Sequence, residues 1–313
     1  MSKTGIIWDS RFLKHDTGKG HPECPRRLLA IKEVLDTDST LIRLVPRAAT
    51  EEEIGWVHSK EHIENVKKTA NADHGYFDLD TPFGSGSSES AFLAVGGLLE
   101  AVESVWTKKV DNAFAFPRPP GHHAESTRAM GFCLFNNIAV AAEYLVRQKG
   151  LKRVAIVDID VHHGNGTQHF FYDRDDVFYI STHRFPFYPG TGAAHETGEG
   201  KGKGYTLNLP FDALGDDDDY KKGYDEKILP ALHEYRPEFV LVSAGFDAHK
   251  RDPLGGMKIT KGGFKMMARN LLDVAQKYAG GATGAKIVFV LEGGYDMKGL
   301  QEGVEAILEV IHG

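Results

Sequence analysis

Short apolar runs recur along this chain, each bounded by charged, glycine or proline positions. Asn112–Phe116, Val154–Asp158, Phe178–Ser181, Phe239–Ser243 and Ile287–Leu291 are apolar or β-branched nearly throughout, as strands covered on both faces are. Between and after them, apolar positions return at helical spacing over Glu89–Thr107, Asn136–Gln148, Tyr220–Tyr235, Lys261–Tyr278 and Lys298–Ile311. Asn136 is an N-cap residue type, and Gly150 follows the end of the same helix. Strands alternating with helices predict an α/β fold, with a parallel sheet sheathed on both sides. No repeat or long linker divides the chain, so residues 1–313 read as a single domain. The Gly/Ser-rich piece Gly84–Ser88 and the acidic run Asp216–Asp219 read as solvated surface loops.

The residues just past each strand add chemistry to the fold. Asn112–Phe116 runs into Pro117-Arg-Pro-Pro-Gly-His-His123, and Val154–Asp158 into Ile159-Asp-Val-His-His-Gly-Asn-Gly166. Phe178–Ser181 leads to Thr182-His183, Phe239–Ser243 to Gly245-Phe-Asp247, and Ile287–Leu291 to Glu292-Gly-Gly-Tyr295. Ligands of open α/β sheets bind at the carboxyl ends of the strands, so these groups point to one site.

Composition narrows the classes. An apolar share of 41% suffices for a sizeable core, and the charge of 37 − 44 = −7 comes without any Lys/Arg tract. That argues against a nucleic-acid surface. No apolar run reaches the roughly 18 residues of a membrane span. The opening MSKTGIIWDS shows no export signal. Cys24 and Cys133 are too few for a disulfide framework and suit a reducing, cytoplasmic setting.

Asp160 and His162, two apart, project to one side if the chain is extended, and Asp247 from another strand completes a three-ligand set. Three protein ligands with open positions describe a catalytic metal. Zn²⁺ suits the set, and Fe(II), Mn or Co fits it geometrically. His122 and His123 are the acid–base candidates, with Asp158 and Asn165 available to orient one imidazole each. A carboxylate partner favours imidazolium, whereas an amide leaves a neutral base. Tyr295 is placed to donate to an oxyanion.

The stretches Arg118–Ala124, Gly131–Asn137, Asp158–Gly166, Ser243–Ala248 and Leu291–Tyr295 together resemble the zinc-dependent histone deacetylase family, which also holds acetylpolyamine amidohydrolases and acetoin-utilisation proteins. The likeness runs from about His21 to Tyr295, and Asn165 and Glu292 are similar to the class II pattern. It implies an arginase/deacetylase fold with a parallel sheet of about eight strands. It implies a deacetylase acting on acyl-lysine in peptides or proteins, or on a small acylated amine. One zinc would sit on Asp160, His162 and Asp247, with His123 (partnered by Asn165) as general base and then acid. His122 with Asp158 would give electrostatic support, and Tyr295 would polarise the carbonyl.

The resemblance further implies that Gly131, Phe132 and Tyr188 flank a narrow tunnel, Tyr188 replacing the family's usual Phe. Asp80 at the rim would clamp substrate amides, and Arg27 would line a product channel behind the metal. Potassium is implied at Asp158, Asp160, His162, Ser181 and Thr182, and again at Phe171, Arg174, Val177 and Tyr205. Leu254 stands where polyamine-specific relatives can place a glutamate, which favours acyl-lysine or a neutral acylated amine over acetylpolyamines. Two other readings compete. A binuclear manganese ureohydrolase would need Asp158, Asp160, Asp247 and Asp252 around two ions, whereas a non-catalytic acyl-lysine reader would lack the tyrosine that Tyr295 supplies. Cys133 and Met130 read as packing, and His58, His62, His74, His183, His195 and His249 as surface or structural residues. No long dimerisation insert is present.

Overall fold

The computed structural model describes residues 2–280 and 284–313. Its strands are β1 (Thr4–Ile7), β2 (Ile42–Arg43), β3 (His74–Tyr76), β4 (Pro82–Gly84), β5 (Asn112–Ala115), β6 (Val154–Asp158), β7 (Val177–Arg184), β8 (Thr206–Phe211), β9 (Phe239–Ala244) and β10 (Ile287–Leu291). The helices are α1 (Arg26–Leu35), α2 (Glu51–Ile54), α3 (Lys60–Lys68), α4 (Ser87–Trp106), α5 (Asn137–Lys149), α6 (Asn165–Phe171), α7 (Asp217–Gly223), α8 (Leu229–Tyr235), α9 (Lys261–Ala275) and α10 (Met297–Ile311). One eight-stranded sheet runs β2-β1-β5-β10-β9-β6-β7-β8, and β3 and β4 form a separate hairpin. Every pairing in the large sheet is parallel.

The five strands expected from apolar runs are neighbours at the centre of this sheet, β5-β10-β9-β6-β7. Every residue of β5, β6, β9 and β10 is buried, because helices cover both faces. Register then aligns the chemistry: Asp158 lies opposite Ser243 on one side and Ser181 on the other. The flanking strands carry weaker signals. β2 has two residues, and β8 is partly exposed and contains Pro210, as an edge strand can.

The expected helices stand as α4, α5, α7 continued by a π turn into α8, α9 and α10. Asn136 Oδ1 accepts from Ala139 N at 3.1 Å, and Gly150 closes α5 at φ 71°. Two expectations are corrected. Asp216–Asp219 is not a loop but the cap and first turn of α7. Asp216 accepts from Asp218 N and Asp219 N, and Asp219 returns the bond to Asp216 N. The acidic run thus faces the positive end of the helix dipole. Gly84–Ser88 joins β4 to α4, with Ser87 and Ser88 buried and Ser87 Oγ bonded to Gly84 N and His15 Nδ1.

A buried ion network braces the carboxyl edge of the sheet. Glu23 takes a two-pronged contact from Arg118, at 2.5 and 2.6 Å, and a third from Arg27 at 3.1 Å. All three side chains are fully buried. Burial opposes ionisation of Glu23, yet the Arg118 and Arg27 charges outweigh it and hold the carboxyl at about 2 against its usual 4.5. A depressed carboxylate stabilises the fold fully above its unfolded value and loses that contribution as pH falls through the folded one. Glu23→Gln should therefore lower stability near neutral pH and flatten the loss between about pH 4.5 and 2. Urea denaturation across that range checks it, and an unchanged slope would remove Glu23 from the acid limb.

Candidate active site

The chain leaves β6 through a tight turn that sets the first two donors. His162 N donates to Asp160 Oδ1 at 2.9 Å, so the pair meets through this turn rather than through strand alternation. Asp247, beyond the end of β9, completes the group. His162 Nδ1 faces Asp160 Oδ1 at 3.1 Å and Asp247 Oδ2 at 3.2 Å. One donor atom from each of the three lies within 4.8 Å of the others, the one such group among the described residues. Backbone amides fix both carboxylates: Gly293 N donates to Asp160 Oδ2 at 2.8 Å and Val161 N to Asp247 Oδ1 at 2.9 Å. A Cβ at Gly293 would overlap the Asp247 carboxylate and reach within 2.7 Å of Asp160 Oδ2.

Both carboxylates are buried, with His162 Nδ1 between them and His122 Nε2 3.9 Å from Asp160 Oδ1. Burial and the Asp160 charge push Asp247 up to about 7. His162, against its burial, is lifted to about 10 by bonds to Asp160 and Asp247. Two buried carboxylates converging on one imidazole nitrogen are a setting that a divalent cation relieves, and the donor set of two oxygens and one nitrogen fits one.

His122 and His123 follow the Pro119-Pro120-Gly121 turn beyond β5, and their rings lie 4.0 Å apart between centroids. His122 Nδ1 meets Asp158 Oδ2 at 2.9 Å, and His123 Nδ1 meets Asn165 Oδ1 at 2.8 Å. The partners divide the two rings. Burial disfavours charge on His122, but Asp158 and Asp160 overcome it and raise the ring to about 10. His123 has the same burial, no carboxylate partner and two neighbouring imidazoles, and falls well below its usual value.

A cavity of about 260 Å³ opens onto these groups. Its lining includes His122, His123, His162 and Tyr295 with Phe132 and Tyr188 as walls. Gly131, Asp80 and Leu254 also border it, so the expected tunnel and rim residues come together. Gly131 (φ 56°) and Phe132 (φ 69°) are both left-handed, and a Cβ at Gly131 would meet the His123 ring. Tyr295 packs edge-on against Phe132 at 5.9 Å, and burial pushes its hydroxyl well above 10, which keeps it protonated. Burial and Asp78 raise Asp80. Arg27 is not among the lining residues. It is held behind the Tyr295 loop by Gly294 O, Glu292 O and Glu23.

Some residues of each potassium expectation are neighbours. Thr182 Oγ1 donates to Asp158 O at 3.3 Å, and Ser181 pairs with Asp158 in register. Arg174 N donates to Phe171 O, and Tyr179 N, two residues past Val177, donates to Tyr205 O.

For some site residues the structure supplies contacts that the sequence did not assign. Phe187 stacks on His162 at 5.2 Å. Glu292 Oε2 accepts from Gly121 N and His122 N while Oε1 accepts from Ser243 Oγ, and burial pushes its carboxyl up to about 7. Asp252 accepts from the amides of Leu254, Gly255, Tyr295 and Asp296, so it ties the rim to the Tyr295 loop. The sequence marked Glu292 by its place just past a strand and by its likeness to the class II pattern, without assigning it a contact. His58 and His62 are buried structural residues, bonded to Glu125 O and Leu134 O.

Comparison with known proteins bears on this geometry. Residues 21–311 match the family profile of the histone deacetylase domain. Histone deacetylase 15 of Arabidopsis thaliana is 40% identical over 324 residues, covering 100% of this chain and 57% of that protein. A histone deacetylase-like amidohydrolase of Pseudomonas aeruginosa is 41% identical over 282 residues, covering 88% of this chain and 73% of its own length. The chain thus spans about half the length of its Arabidopsis thaliana relatives. The crystal structure of the HDA15 HD domain superposes with a TM-score of 0.93 at 39% identity, over 99% of this chain and 89% of that one.

Gly293→Ala is expected to displace Asp247 and Asp160 and to strip bound divalent metal while the protein stays folded. Elemental analysis after dialysis checks it. Wild-type metal content would show that the carboxylates tolerate the added methyl.

Proposed function

This chain belongs to the histone deacetylase family, and we propose that it hydrolyses the amide of acyl-lysine in peptides or proteins, or of a small acylated amine, with one zinc ion. The observation that carries the reading is the convergence of Asp160, His162 and Asp247 beneath a cavity bordered by His122, His123 and Tyr295. A bound divalent ion there, zinc in our reading with Fe²⁺ as the alternative, supplies Lewis acidity to an amide carbonyl and to water.

The protein groups divide the rest of the work. His123, kept neutral, takes a proton from the attacking water at Nε2 and returns it to the leaving amine. His122, kept cationic by Asp158, stabilises negative charge and has no proton affinity to spare as a base. The Tyr295 hydroxyl donates to the oxyanion of the tetrahedral intermediate. Phe132 and Tyr188 hold the alkyl stem of the substrate, Gly131 gives His123 room, and Asp80 accepts from substrate amides at the rim. Arg27 acts from behind the Tyr295 loop. Potassium at Asp158, Asp160, His162, Ser181 and Thr182, and at Phe171, Arg174, Val177 and Tyr205, belongs to the same reading, as does a cytoplasmic location.

Two observations rank the alternatives. Asp252 lies outside the one cluster of possible metal donors among the described residues, Asp160, His162 and Asp247, which favours a single metal over the two of a ureohydrolase. Leu254 gives the mouth an apolar side chain, 38% exposed, where a cation-seeking polyamine site needs a carboxylate.

Metal-loaded protein should deacetylate acetyl-lysine peptides faster than acetylated polyamines, with one metal per chain. Inactivity on both classes would end the deacetylase reading. Tyr295→Phe should retain the metal and lose roughly 3 kcal/mol of transition-state stabilisation, a drop in kcat of about two orders of magnitude. A kcat near wild type would take the hydroxyl out of the mechanism.

A further inference from the structure

His123 serves as a base at Nε2 only if its single neutral proton sits on Nδ1, and a residue outside the cavity decides this. Asn165 presents one amide atom to His123 Nδ1 and the other to three groups: Glu125 Oε1 at 2.5 Å, His123 O at 3.3 Å and Met130 Sδ at 3.4 Å. A carboxylate, a carbonyl and a thioether all accept, so the atom facing them is the amide nitrogen. Asn165 Oδ1 must then face His123 and can only accept. His123 Nδ1 must therefore carry the proton, which leaves Nε2 bare toward the cavity.

Glu125 is the strongest of those three acceptors, and its own state is secured from the surface. His169 Nδ1 lies 2.8 Å from Oε1 and 3.0 Å from Oε2. The Glu125 side chain is 14% exposed and that of His169 51%. Although burial opposes it, the bonds from His169 and Asn165 keep the Glu125 carboxyl below its usual range and therefore ionised, an acceptor only.

We infer that Glu125 is a positioning residue for the reaction: by holding the Asn165 amide in one orientation, it fixes His123 in the tautomer with a free Nε2. This rests on the proposed role of His123 as base, and it assigns a function to the acidic residue that ends His122-His123-Ala124-Glu125.

The test uses the full chain, metal-loaded for kinetics and metal-free for nitrogen-15 NMR of the histidine rings. Glu125→Leu removes the acceptor and should lower kcat by about 10- to 100-fold, the usual scale for a group behind a reacting residue, with KM unchanged. The proton of His123 should spread from Nδ1 to both nitrogens. Glu125→Gln retains an acceptor oxygen for Asn165 and should keep the Nδ1 proton and most of kcat. Glu125→Ala, whose void lies close enough to the surface to admit water, serves should the leucine variant not fold, with the same loss expected.

A folded leucine or alanine variant with wild-type kcat and an unmoved Nδ1 proton overturns the inference, as does a Gln variant no better than Leu. His123→Ala separates the premise from the inference. Full activity there removes His123 as the base, whereas an inactive His123→Ala beside a wild-type Glu125→Leu removes Glu125 alone.

Discussion

Two carboxylates forced together out of water dominate this structure. Asp160 and Asp247 lie at the carboxyl edge of a fully covered parallel sheet, and both face the same nitrogen of His162. Buried like charges raise each other's proton affinity until a cation or a proton relieves them, and Asp247 at about 7 records that pressure. The surrounding backbone is arranged to hold the pair rather than relax it. Amides of Gly293 and Val161 hold one oxygen of each carboxylate, and the missing side chain of Gly293 leaves the space they occupy.

The same edge sets two chemically identical rings apart. His122 and His123 are adjacent in sequence and equally buried, yet one faces Asp158 and the other an amide. The Asp158 carboxylate at the end of β6 thus favours the cationic form of one imidazole, whereas the Asn165 amide at the start of α6 brings no charge to the other, which burial keeps neutral. Glu292 holds the backbone of His122 from a third strand, and the Glu23–Arg118–Arg27 network joins that turn to the Tyr295 loop. Loops bearing reactive groups are thereby fixed to the rigid sheet at several points.

Much of this was legible from residue order. The buried strands announce themselves because a sheet covered on both faces needs continuous apolar runs, and β5, β6, β7, β9 and β10 all show them. The acidic run at Asp216 was misread because a capping box and a solvated loop share a composition and differ only in the bonds that close it. β1, β2 and β8 were missed for length or pattern: two or four residues carry no period, and an edge strand with Pro210 does not alternate cleanly.

The sequence alone determined which residue types lie beyond each central strand, and therefore that carboxylates, imidazoles and a tyrosine gather at one edge of an α/β sheet. Only the tertiary structure decided which atom meets which. It placed Phe187 against His162, put Asp252 on backbone amides, set Arg27 behind the Tyr295 loop and turned the Asn165 amide by way of Glu125. Spacing along a chain fixes which end of the sheet a side chain reaches. The orientation of hydrogen bonds and the neutralisation of buried charge depend on partners far away in sequence, which meet only once the strands have found their order.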